Sequence, residues 1–399
     1  MTQPMTRHAP AEESELAAIV TEAAAARTPL AVEGGGTRRG LGRPLQTGAT
    51  VTTAGMAGVT LYEPAELVIS ARAGTALSTV ETLLAQNRQR LAFEPIDHRP
   101  LLSSSGTPTI GAVAAANLSG PRRIQAGAAR DSLIGVRAVT GRGEVIKNGG
   151  RVMKNVTGYD LVKFMAGSWG TLGILTEVSF KVSPIPETEA TIVVSGLDDA
   201  TAVRALSAAL ASPWGVTGAA HLPPFEHEAA RTLVRLDGFA ASVKERSDKL
   251  VAALAGFGRA ETVPQEASAA VWTAIRDLAV LGASRRAVVW RISVKPSEGP
   301  RIVEELRRTL PCRVIYDWGG GLVWLAATDT GDAAGAMVVR EATVRFGGHA
   351  MLVRAPDHVR LAVDVFEPQP PAVMELQRRV KATFDPEGIL NPGRMYAGL

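Results

Sequence analysis

The chain reads as an α+β protein with more than one domain. Strand-like and helical periodicities alternate along its whole length. In the second half the order strand–helix–strand–strand–helix–strand occurs twice in succession, which implies an antiparallel sheet with helices on one face. Two glycine-dense segments, EGGGT at Glu33–Thr37 and GSWGTLG at Gly167–Gly173, adjoin strand-like runs in the first half. With 399 residues, the chain exceeds one core and fits two or three domains at about 150 residues each.

Glu13–Arg27 is predicted helical: Ser14 can cap it, alanines fill it, and Leu16, Ile19, Val20 and Ala23 share a face. Pro29 stops it, and Pro29–Glu33 reads as a short buried strand running into Gly34-Gly35-Gly36-Thr37. Consecutive backbone N–H groups in such a loop form an anion-binding nest. Val59–Leu61 and Leu67–Ala73 are strand candidates, Leu77–Asn87 an amphipathic helix, and Leu91–Phe93 a returning strand. Thr107–Gly120, almost all small residues, suits a helix packed tightly on a sheet as well as it suits a ligand contact. Its place between two glycine loops favours the ligand. Ile134–Thr140 and Glu144–Lys147 flank Gly141-Arg142-Gly143 as a hairpin. Val152–Val156 reads as a loop, Leu161–Ala166 as a short helix, and Ile174–Val182 as the strand after the second glycine cluster. Gly167, Gly170 and Gly173 remove side chains where backbone must approach something flat or phosphorylated.

The first repeat comprises strand Thr191–Ser195, helix Asp199–Ala211, strands Val216–His221 and Arg231–Leu236, helix Val243–Ala255 and strand Arg259–Val263. A helix over Ala267–Leu281 joins it to the second. There the order is strand Ala287–Lys295, helix Glu298–Leu310, strands Arg313–Asp317 and Leu322–Ala327, helix Ala333–Phe346 and strand Ala350–Arg354. After helix Pro371–Thr383 comes FDPEGILNPGRM, whose Phe384, Ile389, Leu390 and Met395 are too apolar for an exposed tail and are expected to dock on the first domain.

Composition narrows the function classes. A net charge of +4 without a run of five like charges leaves no footprint for nucleic acid. Cys312 is the only cysteine, so an internal disulfide and an iron–sulfur cluster held by the chain's own thiolates are both excluded. No apolar run reaches the roughly 18 residues of a spanning helix. The polar, acidic start MTQPMTRHAPAEESE does not resemble an export signal, so a cytoplasmic location is expected. Neither glycine loop has P-loop or dinucleotide-fingerprint spacing.

Taken in order, PLAVEGGGT, TIGAVAAANLSGPRR, GAARDSLIGVRAVTGRGEVIKNGG, KNVTGYDL, GSWGTLGILTE and FDPEGILNPGRM resemble the FAD-binding oxidoreductases of the vanillyl-alcohol oxidase and p-cresol methylhydroxylase type. Within that family the resemblance is greatest to the E subunits of bacterial glycolate oxidases. It implies a two-subdomain FAD-binding domain over 1–186, an α+β cap with an antiparallel sheet over 187–365, and a C-terminal return to the FAD domain over 366–399. It also implies roles for particular residues. Gly34, Gly35, Gly36 and Thr37 fall on the pyrophosphate loop. Thr109, Ile110, Gly111, Ala116, Asn117 and Gly120 fall on a second flavin-contacting segment. Gly173 and Ile174 fall along the ribityl and isoalloxazine portion, and Asn391 on a terminal motif near the flavin. Arg130 and Asp131 suit either a local ion pair or a ligand contact.

Departures from the family pattern shape the expected chemistry. Arg38, Arg39 and Gly40 follow Thr37 with no histidine, so FAD is expected to be non-covalent. Ala112 replaces the second glycine of a pair. The His-x-Gly-Asp-Gly-Asn-x-His string that supplies metal ligands and a base in 2-hydroxy-acid relatives is missing. His349, His358, His221 and His227 have structural or exposed roles as their default reading, as do Arg285, Arg286, Arg291 and Arg354, the possible cap-side carboxylate donors. Tyr159 is expected to pack. No catalytic residue and no metal ligand is assigned. The resemblance implies an FAD-binding subunit of a multi-subunit glycolate dehydrogenase. Its partners would be a catalytic flavoprotein paralogue and an iron–sulfur subunit, through which it could lie at the inner membrane. A self-sufficient FAD oxidoreductase and a structural paralogue with weak flavin binding are the alternatives.

Overall fold

The computed structural model describes residues 6–150, 159–282 and 284–399, so the loop expected at Val152–Val156 lies outside the described residues. The first domain holds two main sheets. The smaller is parallel, with strands Thr6–His8, Ala49–Thr52 and Leu30–Glu33 in that spatial order. The first two, TRH and ATVT, are too short for periodicity to mark them in the sequence. Helix Glu13–Ala25 backs this sheet through Leu16 and Val20. Ser14 lies inside the helix; Glu12 is the N-cap residue, and the Glu15 carboxylate accepts the N–H of Ala11 at 2.9 Å.

The larger sheet is antiparallel: Val59–Glu63, Val68–Arg72, Ile174–Lys181, Leu133–Val139 and Val145–Gly149. Helices Leu77–Gln86, Ile110–Ala116 and Leu161–Met165 close one core over it. Leu91–Phe93 is not a strand. Gln89–Arg90 makes a two-residue pairing with Ser183–Pro184, and the chain then turns at Glu94, whose φ is 48°. Phe93 instead packs on Phe180, with ring centroids 5.4 Å apart.

Both repeats in the second half form, and they fuse into one eight-stranded antiparallel sheet. Its order is Ala260–Val263, Thr188–Ser195, Arg231–Gly238, Gly218–Leu222, Cys312–Asp317, Leu322–Ala327, Val288–Ser293 and His349–Arg354. The repeats meet at the pair His221 and Tyr316. Helices Asp199–Leu210, Ala240–Leu254, Gly299–Arg307 and Ala336–Phe346 cover one face. The connection between repeats is two helices, Gln265–Arg276 and Ala279–Gly282, on the other face. There Trp272, Ile275 and Leu281 share a core with Leu41, Ile96 and Leu101 of the first domain. Alternation along each strand thus sends every second side chain toward the first domain.

The end of the chain docks. Leu30 donates to the carbonyl of Ile389 at 2.8 Å and accepts from the N–H of Asn391 at 3.0 Å, so the segment continues the edge of the small sheet. Ile389 and Leu390 are buried in its core.

Candidate functional site

The glycine loop at Gly34–Gly36 is locked against a second loop. A β-carbon on Gly35 would stand 1.9 Å from the carbonyl oxygen of Thr107, and one on Gly34 would stand 2.2 Å from Oγ1 of Thr109. Gly36 has φ of +78°, a region in which side chains are strained. Thr52 Oγ1 holds the carbonyl of Gly34 at 2.8 Å, and Ser104 Oγ donates to the carbonyl of Thr37 at 2.7 Å. The free side of the loop faces a cavity of about 560 Å³, within the range of small-molecule sites.

Three further segments complete the wall. Gly111 seats helix Ile110–Ala116 on the larger sheet, where a β-carbon would meet Ala73 at 2.5 Å, and Ala112, Ala115 and Ala116 then face the cavity. Gly170, Gly173 and Ile174 also line it, with Trp169. Asn391, only 3% exposed, fastens the two walls. Its Oδ1 accepts the N–H of Val32 at 2.7 Å, and its Nδ2 donates to the carbonyl of Trp169 at 2.7 Å.

The cavity lining carries Arg7, Arg38, Arg39, Arg360 and Arg394 against Glu33 and Asp357. Arg7 and Arg39 pair with Glu33, Arg360 bonds Asp357 and the carbonyl of Gly42, and Arg394 donates to the carbonyls of Arg43 and Arg38. Arg38 is different. Its Nη2 reaches the carbonyl of Ile96 at 3.3 Å, while buried Nε and Nη1 have no partner among the described residues. Burial lowers Arg38 and Arg394 to about 10, so both remain cationic at neutral pH. A backbone nest, an excess of cations with spare donors, and a wall of alanines and glycines fit a ligand with a phosphate portion and a flat portion.

The other expected site residues fall outside this lining. Thr109 presses its side chain against Gly34, with its buried Oγ1 unbonded, and Ile110 belongs to the core. Asn117 ends its helix at φ 49°, and its Oδ1 accepts the N–H of Arg130 at 2.9 Å. Gly120 sits at the domain seam, where its carbonyl accepts Trp318 Nε1 at 3.2 Å. Arg130 and Asp131 do not pair: the Asp131 carboxylate accepts the N–H of Ala128, and Arg130 Nε donates to the carbonyl of Lys163. Tyr159, expected to pack, is 83% exposed. His221 is a core residue bonded to Thr232 and Asp199. His227, His358, Arg285 and Arg286 are exposed. Arg354 staples the domains through the carbonyls of Ala287, Leu101 and Ser284. Among the described residues no group of three or more His, Cys, Asp or Glu is placed to hold a metal ion. Sequence reasoning missed Arg38 and Arg394 as cavity residues. The signal was present, because one follows the glycine loop and the other lies in NPGRM.

Fold and site together define a flavoprotein oxidoreductase with a cap. The FAD binding domain profile matches residues 7–149, and that of the C-terminal domain of FAD linked oxidases matches 367–395. Across 380 residues, 95% of this chain and 96% of the relative, it is 34% identical to glycolate oxidase subunit GlcE of Escherichia coli. It is 32% identical to glycolate oxidase subunit GlcD of Bacillus subtilis over 186 residues, only 38% of that protein. The fold superimposes on p-cresol methylhydroxylase with a TM-score of 0.74 at 15% identity, covering 97% of this chain and 88% of the other. For 4-ethylphenol oxidase from Gulosibacter chungangensis the TM-score is 0.72 at 14% identity, covering 99% and 91%. The chain belongs to the family of the glycolate oxidase subunit GlcE and shares its fold with p-cresol methylhydroxylase. It is an FAD-dependent oxidoreductase.

Proposed function

We propose that this chain is the FAD-binding subunit of a multi-subunit glycolate dehydrogenase that oxidises glycolate, or a close 2-hydroxy acid, to the 2-oxo acid. The end-to-end similarity to the E subunit of a glycolate oxidase carries this reading. Gly34–Thr37 would hold the pyrophosphate of FAD through backbone N–H groups, helped by the spare donors of Arg38. Gly111, Ala116, Gly173, Ile174 and Asn391 would line the remainder, while Thr109, Ile110, Asn117 and Gly120 would shape the loops behind. Bound FAD supplies the acceptor for the hydride lost from the α-carbon. Non-covalent FAD is part of this reading, since Arg38, Arg39 and Gly40 follow Thr37 at the glycine loop. The cap runs over 187–365 in this reading, and residues 366–399 return to the FAD domain.

With Cys312 its only cysteine, the chain would pass electrons to an iron–sulfur subunit and work beside a flavoprotein paralogue. No helix among the described residues is long and apolar enough to cross a membrane. A cytoplasmic complex, peripheral to the inner membrane through its partners, is the location we propose. The test is anaerobic addition of glycolate to the chain alone and to the reconstituted complex, followed by flavin absorbance. Bleaching in the complex is expected. Flavin that stays oxidised in the complex would refute glycolate as the substrate, and bleaching by the isolated chain with reoxidation by an artificial acceptor would favour a self-sufficient enzyme.

A further inference from the structure

We infer that Arg291 of the cap and Arg123 of the FAD domain form a carboxylate subsite across the domain seam, built on the indole of Trp318. The inference rests on the proposed oxidation of a small 2-hydroxy acid, whose carboxylate it would take. Arg291 lies on Val288–Ser293 opposite Trp324 and Met351. Its neighbours Trp290 and Ile292 point into the helix-covered core, whereas Val289 and Trp324 lie in the core shared with Leu41, Ile96 and Leu101. Arg291 therefore faces the FAD domain. From the other side of the seam comes Arg123, at the start of the short helix Arg123–Ala126. The Arg123 guanidinium sits 4.4 Å from the Trp318 ring centroid and that of Arg291 sits 5.2 Å from it. Trp318 is itself fixed by its Nε1 bond to the carbonyl of Gly120.

Neither guanidinium has a hydrogen bond or ion pair with any described residue. That is unusual for Arg291, which is half-buried; burial, with Arg123 next, depresses it to about 10. Two like charges held near one indole favour a bound anion. A guanidinium lying on an aromatic face keeps its N–H edge free, which is the geometry for a bidentate carboxylate. The acid that offsets Arg291 is Asp317, whose Oδ1 accepts the N–H of Trp318 at 2.7 Å. His349, paired in register with Ser293, lies within electrostatic reach of both arginines and is exposed. Trp318 packs against the same core as Trp169, which lines the FAD cavity.

The test is calorimetric titration of the purified chain with oxalate, a small dicarboxylate with no carbinol C–H to oxidise. Saturable binding by the wild type is expected, weakened at least tenfold in Arg291→Met and severalfold in Arg123→Gln, and unchanged in Arg285→Gln, an exposed neighbour. Wild-type affinity in a folded Arg291→Met overturns the subsite, as does absence of oxalate binding by the wild type. If Arg291→Met does not fold, wild-type affinity in Arg123→Gln overturns it. Flavin bleaching by glycolate, read in parallel, separates the two readings. Bleaching with an unaltered variant affinity removes the subsite alone. Arginine-dependent oxalate binding without bleaching in the complex removes the proposed oxidation alone.

Discussion

Gly35 has no room for a side chain: the carbonyl oxygen of Thr107 stands 1.9 Å from where a β-carbon would be placed. That oxygen belongs to a loop pinned by its own backbone contacts, so the clash is relieved only by moving the nest. Gly35→Asp adds a carboxylate beside the expected pyrophosphate, and loss of FAD affinity of about tenfold or more is expected. Flavin absorbance per polypeptide, with circular dichroism to confirm folding, is the measurement; full occupancy in a folded variant would remove this loop from the site. The glycine triplet was legible in the sequence because only its residue type matters. Asn391 was legible as a position but not in its action. Its side chain joins Val32 to the carbonyl of Trp169, residues separated from it by most of the chain.

Among the elements, the C-terminal helix Pro371–Phe384 owes its docking to one buried lysine. Lys381 is 6% exposed, and its Nζ donates to the carbonyl of Thr171 at 2.8 Å, to Asp385 Oδ2 at 2.7 Å and to the carbonyl of Leu390 at 2.7 Å. It ties the helix, the terminal segment and the GSWGTLG wall in one knot. Asp385, meanwhile, accepts the N–H groups of Ile389 and Leu390. Lys381→Met leaves that carboxylate buried without its cation, a loss of about 3–5 kcal/mol by comparison with other broken buried pairs. Denaturant unfolding and hydrogen exchange over 384–395 would show it, and unchanged protection there would contradict the assignment. Helices and strands longer than six residues could be read from periodicity. Thr6–His8, Ala49–Thr52 and the break at Glu94 could not, because pairing partners and an ion network decide them.

At the scale of the molecule, the two domains are joined by a buried ion network. Arg235 grips Glu94 with bonds of 3.0 and 2.9 Å, and Arg122 bridges Glu94 and Asp237. Burial alone would raise Glu94, but Arg235 and Arg122 outweigh it and hold the carboxyl at about 2, against an ordinary 4.5. A folded value below the unfolded one makes this contribution, of the order of 3 kcal/mol, complete above pH 4.5 and lost as pH falls toward 2. Asp317 works in the opposite sense. Burial raises it from 3.8 to about 7, so its contribution is complete below pH 3.8 and lost as pH rises through 7. The seam should therefore be firmest in mild acid. Thermal unfolding against pH is the measurement, and Asp317→Asn should flatten the slope between 3.8 and 7 while sparing the acid limb. An unchanged slope in that variant would show that Asp317 does not set it.

The sequence alone determined the α+β class, the duplicated strand order, the glycine loops and the family they mark. Those features depend on residue type and local spacing, which survive without knowledge of contacts. Tertiary structure decided that the two repeats fuse at His221 and Tyr316 into one sheet, and which side chains that sheet turns toward the flavin domain. It also decided which arginines keep free donors. Arg285, Arg286, Arg291 and Arg354 are equivalent in sequence, yet two are exposed, one staples backbone carbonyls, and one stands unpaired on Trp318. Burial and partner geometry distinguish them, and both arise only when distant segments meet.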